Sequence, residues 1–192
     1  MRKLTNADIK DLREYERERD QFLAEIISLK KKRRIPLGDM MTVVFENAAT
    51  MRFQIQEMAR AERMLRDEQI AHEIDVYNDL IPGDGQLSAT LFIEINESAA
   101  LEYWLPRLVG IEDYVKFVVG DDVVPAEEIN AERLTREDIT STVHYLRFQF
   151  TEGQQRAFGD GPVRLIVDHP EYPVDVTLSD EQRDEIVGDF AA

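Results

Sequence analysis

The sequence contains no cysteine among its 192 residues. This absence excludes disulfide bonds, thiolate zinc sites, cysteine-ligated iron–sulfur clusters and a cysteine nucleophile. Basic residues are also scarce, because 23 Lys and Arg stand against 39 Asp and Glu, which gives a formal net charge of -16. Such a surface repels phosphate backbones and anionic lipids, so neither nucleic acid nor a membrane is expected as a partner.

Long apolar runs are missing as well. No stretch approaches the length of a membrane span, and the first residues, MRKLTNADIKDL, lack the apolar core of a signal peptide. We therefore expect a cytoplasmic protein. With 43% hydrophobic residues, the chain is long enough to form one core. We predict a single domain over 1–192, made of an N-terminal helical segment, 1–38, and an α+β body, 39–192.

Residues 45–65 form the most informative stretch, because their periodicity predicts a central helix that is apolar around most of its circumference. The apolar arc is formed by Ala48, Met51, Ile55, Met58, Ala59 and Leu65. The face predicted to meet solvent is formed by Arg52, Gln56, Arg60 and Arg63. These four residues could bind an anionic ligand or an acidic partner, although a solvated helix face is the more common use of such residues.

Three polar residues, Gln54, Glu57 and Glu62, fall inside or beside the apolar arcs of this helix. Buried polar groups need partners, so these residues are the principal candidates for a binding or catalytic site. One interpretation is a polar pocket beside the helix, with a carboxylate of raised pKa acting as acid or base. The other is a structural network, in which each residue pairs with an arginine, the backbone or the N-terminal helix.

The remaining pattern predicts helices first and then strands, most of them joined by hairpins. Capping boxes at Thr151 and Ser179 predict short helices, and Gly120 predicts a hairpin turn. The stretch 125–133 is polar and is predicted to be a surface excursion. There is no βαβ alternation, so we expect an α+β fold with a largely antiparallel sheet of about five or six strands, helices packed on one face and a long N-terminal helix.

Residues of the types that bind metals occur on one predicted helix and on separate strands. Glu68, His72, Asp75 and Asp79 share a helix face and could present ligands to iron or manganese, but this face is turned away from the apolar stripe. His144 lies among apolar strand residues, as a satisfied core histidine does, and His169 is expected to brace a hairpin. The sequence therefore predicts neither a metal site nor a cofactor.

Several segments resemble DUF3501, a bacterial family of proteins of unknown function. The similar segments are FEN at 45–47, RFQIQEM at 52–58, AER at 61–63, YNDLIPG at 77–83, LVGIE at 108–112 and VDHP at 167–170. The resemblance spans most of the chain and includes no catalytic motif. Because members are encoded beside rubrerythrin-like and iron–sulfur oxidoreductase genes, it implies a redox or oxidative-stress setting.

Two functional hypotheses follow. The first is an accessory or interaction protein that serves a redox partner and could form a homodimer. The acidity of the chain and its long N-terminal helix motivate this hypothesis. The second is a small-ligand-binding protein or an unrecognised enzyme, with its pocket beside the central helix. The sequence leaves open whether the protein is an enzyme at all.

Overall fold

The computed structural model describes residues 1–129 and 138–191. These residues form six α-helices and eight β-strands, together with short 3-10 turns. The helices are α1 (Leu12–Arg33), α2 (Ala48–Ala61), α3 (Asp67–Asn78), α4 (Ser98–Trp104), α5 (Glu152–Asp160) and α6 (Asp180–Val187). The strands are β1 (Arg34–Leu37), β2 (Met41–Glu46), β3 (Gln86–Ile93), β4 (Val115–Val119), β5 (Asp122–Glu128), β6 (Val143–Gln149), β7 (Val163–His169) and β8 (Tyr172–Thr177).

All eight strands belong to one antiparallel sheet that curls into a nearly closed barrel. The strand order is β1-β2-β3-β6-β5-β4-β7-β8, so the two edge strands come from opposite ends of the chain. Every pairing along the sheet is antiparallel. The prediction of a five- or six-stranded sheet with helices on one face is therefore wrong, although the antiparallel arrangement itself is confirmed.

Two strands explain most of this difference. β1 has four residues, contains Pro36 and directly follows the basic end of α1, so its sequence is typical of a helix terminus. β5 continues through Pro125 to Glu128, into the stretch predicted to be a surface excursion, of which 130–133 lie outside the described residues. Pro125 is tolerated because the strand changes partner there: 122–125 pair with β4 and 126–128 pair with β6.

The inside of the barrel is an aromatic and aliphatic core. Alternate residues of each strand point inward, as the burial pattern of β6 shows. Phe45, Phe117 and Phe148 meet at the centre, with ring centroids 4.8–6.3 Å apart. Phe158 and Phe190 extend the same cluster from α5 and the C-terminal turn. The barrel interior is thus filled by side chains, and function has to be sought at its ends or on its outer face.

A second, smaller core lies outside the barrel, under α2 and α3. It includes Leu4, Met51, Ile55, Ile74, Leu80 and Ile81. The predicted burial of Met51 and Ile55 is confirmed. Two other assignments on this helix are wrong, because Leu65 is 81% exposed and Gln56 is buried. The helix ends at Ala61, so its periodicity does not extend to Leu65.

The edge strands β1 and β8 are held together by a side chain rather than by a ladder of backbone hydrogen bonds. The Tyr172 hydroxyl donates to the carbonyl of Leu37 at 2.8 Å and accepts from the N–H of Met40 at 3.1 Å. Gly38 lies between them with φ +68°, and a Cβ at this position would collide with the Tyr172 hydroxyl. Tyr172 therefore links the two edge strands of the nearly closed barrel, at a turn that requires glycine.

Replacing Gly38 by Ala is expected to lower the free energy of unfolding by about 2 kcal/mol or slightly more, because left-handed strain adds to displacement of Tyr172. Gly120→Ala is the matched control: Gly120 has φ +61° and open space around its Cα, so only the strain of about 1 kcal/mol applies. Urea denaturation of both variants measures the difference. Equal losses of unfolding free energy in the two variants would show that Tyr172 does not hold β1 and β8 together.

The C-terminal segment is tied to α1 by a buried ion pair. Arg33, the last residue of α1, is fully buried and donates from Nε to the carbonyl of Phe45 at 2.8 Å. Its guanidinium pairs with Asp189, which is 5% exposed, and with Glu185 at 3.4 Å. Burial raises the pKa of the Asp189 carboxyl, and the hydrogen bond from Arg33 opposes that shift. This pair joins elements from opposite ends of the sequence.

Candidate functional site

Three side chains with metal-binding atoms converge at one end of the barrel. Glu112 lies in the 3-10 turn before β4, Glu128 is the last residue of β5, and His144 is near the start of β6. His144 Nδ1 is 2.6 Å from Oε1 of Glu128 and 3.6 Å from Oε2 of Glu112. One donor atom from each residue lies within 4.8 Å of the other two. Among the described residues, no other three acidic or histidine side chains converge in this way.

The fold brings these residues together through strand direction and alternation. β4, β5 and β6 are antiparallel neighbours, so the starts of β4 and β6 meet the end of β5. His144 shares the inward face of β6 with Leu146 and Phe148, which are also buried. Glu128 on β5 lies opposite Leu146 of β6, and Leu146 is the next inward-facing residue after His144. The site is therefore built on the rims of the central strands.

All three side chains are withdrawn from water. The exposed fraction of the side chain is 0% for His144, 5% for Glu128 and 11% for Glu112. Burial raises the pKa of the Glu128 carboxyl, and the negative charges of Glu112 and Asp113 raise it further, while the hydrogen bond with His144 lowers it. Two carboxylates this close in a poorly solvated place repel each other unless a positive charge lies between them.

The contacts of the other ring nitrogen, Nε2, bear on the tautomer of His144. His144 Nε2 is 3.0 Å from the carbonyl oxygen of Ser141 and 3.0 Å from the hydroxyl of Thr140. A carbonyl can only accept, so the tautomer with a hydrogen on Nε2 satisfies the Ser141 contact. In that tautomer Nδ1 presents a lone pair to Glu128. Two acceptors 2.6 Å apart require a proton or a metal ion between them.

Glu112 is the least satisfied member of the cluster. Its Oε2 atom is buried and has no hydrogen-bond partner among the residues that the structure describes. A buried carboxylate oxygen without a partner is costly, by more than the 1–3 kcal/mol that applies to neutral polar groups. A proton shared by His144 and Glu128 would form a hydrogen bond between those two residues and leave Oε2 of Glu112 without one. A metal ion at the centre would satisfy all three.

The structure does not bring all the residues singled out in the sequence together in one place. Glu57 accepts from the Tyr15 hydroxyl at 2.7 Å and from Arg19 through two hydrogen bonds of 2.8 Å. Gln56 is buried and pairs with both backbone groups of Lys10, at 2.7 and 3.2 Å. Glu57 thus takes part in the structural network with the N-terminal helix that was the alternative interpretation.

The other candidates on the central helix point in different directions. Arg60 pairs with Glu16 at 2.6 Å, and the Arg52 guanidinium lies 4.6 Å from the centre of the Phe22 ring. Glu62 and Arg63 are exposed past the end of α2, and Gln54 is half-buried beside Tyr77. Arg52 and Gln56 border a cavity of about 160 Å³ between α1 and α2. Whether that cavity takes a ligand stays a prediction.

Replacing Glu57 by Gln tests the structural role of this network through pH. Arg19 lowers the pKa of Glu57, so the pair stabilises the fold above the ordinary carboxyl pKa and loses that contribution as the pH falls. We expect a loss of about 1 kcal/mol at pH 7 that begins to shrink below about pH 4 and disappears only below the lowered pKa of Glu57. Urea titrations at pH 7 and at the lowest pH at which the fold persists measure it. Glu62→Gln, on the exposed end of the same helix, should change little at either pH, and a constant gap for Glu57→Gln would contradict the assignment.

The cluster of Glu112, Glu128 and His144 was missed because its members are far apart in the sequence. The burial of His144 was predicted correctly, but Glu128 was assigned to a surface excursion and Glu112 carried no signal beyond its place before a strand. The alternative metal ligands on α3 around His72 do not gather in the described part of the chain. His169 does brace its hairpin, because its Nδ1 accepts from the N–H of Glu171 at 3.2 Å.

Comparison with known proteins identifies a family for this chain but no activity. The family described as "Protein of unknown function (DUF3501)" matches residues 3–190. No curated protein matches the chain. Its structure is similar to that of a novel protein of unknown function from Burkholderia pseudomallei K96243, with a TM-score of 0.91 and 33% identity over 98% of this chain and 99% of that chain.

None of the helices in the described residues combines the length and the hydrophobicity that crossing a membrane requires. The family match extends over both the N-terminal helix and the barrel, including all three residues of the cluster. The resemblance predicted from the short segments is therefore confirmed, and the chain belongs to the DUF3501 family.

Proposed function

We propose that the protein binds a divalent transition-metal ion through Glu112, Glu128 and His144. The observation that supports this most directly is the orientation of His144. Its Nε2 lies 3.0 Å from the carbonyl oxygen of Ser141, and its Nδ1 faces two buried carboxylates. Metal-binding histidines typically donate their second nitrogen to a backbone carbonyl in this way, which fixes the ring and its tautomer.

The donor set indicates which ions fit. One imidazole nitrogen and carboxylate oxygens suit Mn²⁺, Fe²⁺ and Zn²⁺. Cu⁺ prefers sulfur ligands, and the sequence has no cysteine. Ca²⁺ takes six to eight oxygen ligands, more than these side chains offer. A divalent ion between two carboxylates and a neutral imidazole also leaves the buried site without net charge, which removes the repulsion between Glu112 and Glu128.

This proposal belongs to the ligand-binding class that the sequence left open, but at the barrel rim rather than beside α2. A transition metal would also be compatible with the redox setting that the family resemblance implies. The accessory role for a redox partner and the homodimer remain predictions.

The test is direct metal binding by protein purified without chelators or a histidine tag. We expect about one ion per chain by elemental analysis after dialysis against Mn²⁺, Zn²⁺ or, without oxygen, Fe²⁺. Binding should also stabilise the fold, by about 2.7 kcal/mol when the free ion is at 100 times its Kd. His72→Gln is the matched control and should bind as well as the natural sequence. Loss of binding in that variant would place the ion on α3, and no binding at all would refute the proposal.

A further inference from the structure

We infer that the bound ion keeps at least one position for an exchangeable water, which a small neutral molecule can replace. The inference rests on the proposed function, since it concerns the ion held by Glu112, Glu128 and His144. It goes further in assigning an open position, and therefore a reactive rather than a purely structural ion. Structural sites for zinc are closed by four protein ligands, whereas catalytic sites have three and a water.

The number of donor atoms supports an open position. Among the described residues, the cluster has two carboxylates and one imidazole. Even if both carboxylates bound through both oxygens, five donor atoms would occupy five of the six positions of an octahedral Mn²⁺. With one oxygen from each carboxylate, three positions are left. Water is the ligand that such ions retain when protein donors are few.

The burial of the three side chains shows where the open position lies. His144 and Glu128 are 0% and 5% exposed, whereas Glu112 is 11% exposed. Glu112 also comes from a 3-10 turn outside the sheet, while the other two residues are on strands at its rim. The side of the ion nearest Glu112 is thus the one closest to solvent, and exchange of water is expected there.

Charge determines the class of molecule that can enter. The two carboxylates compensate the divalent ion, so a further anion would make the buried site negative. Asp113, the next residue after Glu112, is exposed at the same turn and adds another negative charge. The whole chain has a net charge of -16. The negative charge on the surface around this side of the site repels anions and does not hinder a small neutral ligand.

The experiment uses the intact protein loaded with Mn²⁺. Electron paramagnetic resonance measures how much Mn²⁺ is bound, and the relaxation rate of water protons measures whether the bound ion exchanges water. Mn²⁺ chelated by DTPA, which leaves no water on the ion, is the reference. We expect relaxation per bound ion at least about twofold above that reference. Relaxation equal to the reference, in protein that demonstrably binds Mn²⁺, would overturn the open position and leave the proposed function standing.

Nitric oxide tests the neutral ligand separately. Added without oxygen to the Fe²⁺-loaded protein, it should give the spin-3/2 resonance of an iron–nitrosyl centre, because an open position admits it. Protein that carries Fe²⁺ and gives no such signal would contradict entry of a neutral ligand. Failure to bind either ion in the first place would instead refute the proposed function, so the two failures are distinguishable.

Discussion

Replacing Asp189 by Asn should lower the free energy of unfolding by about 3–5 kcal/mol, the cost expected when a buried ion pair loses one partner. Arg33 is fully buried, and its guanidinium cannot lose its proton. Without the Asp189 carboxylate, the charged partner of Arg33 that remains among the described residues is Glu185, at 3.4 Å and 25% exposed. The positive charge would therefore lie largely uncompensated between α1 and the C-terminal turn. Guanidinium chloride denaturation measures the loss.

Asp184→Asn is the matched control, since it makes the same change on α6 at a side chain that is 69% exposed. Surface substitutions of this kind change stability by less than about 0.5 kcal/mol. The double variant Arg33→Met with Asp189→Leu should recover most of the loss, because apolar residues of similar volume can replace a buried ion pair. An unfolding free energy for Asp189→Asn as high as that of Asp184→Asn would show that the pair is not needed.

Replacing Glu112 by Gln should reduce the affinity for Mn²⁺ at least about 100-fold, since even residues that only orient metal ligands contribute 10- to 100-fold. The same variant should be as stable as the natural sequence without metal, or more stable. Glu112 carries a buried oxygen with no partner in the described part of the chain, and its charge repels that of Glu128. An amide of the same shape removes that repulsion. Calorimetric titration and thermal unfolding without metal measure the two effects.

Asp113→Asn provides the comparison for this variant. Asp113 is in the same 3-10 turn, is exposed and carries the same charge, so its removal should weaken binding a few-fold at most through long-range electrostatics. Unchanged affinity in Glu112→Gln would exclude Glu112 as a ligand. A large loss of stability without metal would indicate that Glu112 stabilises the 3-10 turn rather than binding an ion.

Local features of the chain were predictable because they depend on neighbouring residues. The capping boxes at Thr151 and Ser179 open α5 and α6 as expected, and Gly120 turns the hairpin between β4 and β5. Met51 and Ile55 are buried because one turn of a helix places them on the same face. In each case the physical cause acts within a few residues, and the sequence contains it in full.

The nearly closed barrel was not predictable in the same way. Its closure depends on the twist accumulated over eight strands and on one contact, from Tyr172 to the turn at Gly38, between residues from opposite ends of the sheet. The pattern of β1 gave no sign of a strand, because Pro36 and the preceding basic run are equally typical of a helix end. A four-residue strand is stabilised by its neighbour β2 rather than by its own propensity.

By itself, the sequence determined the acidity of the protein, its antiparallel character, the position of most helices and its family, all of which follow from composition or from short segments. Only the tertiary structure decided that the sheet curls into a nearly closed barrel and that Glu112, Glu128 and His144 meet at its rim. Their meeting depends on the direction and register of three neighbouring strands, and register is a property of the whole sheet. These carboxylates need a counterion because they are buried, and they are buried only once the chain has folded.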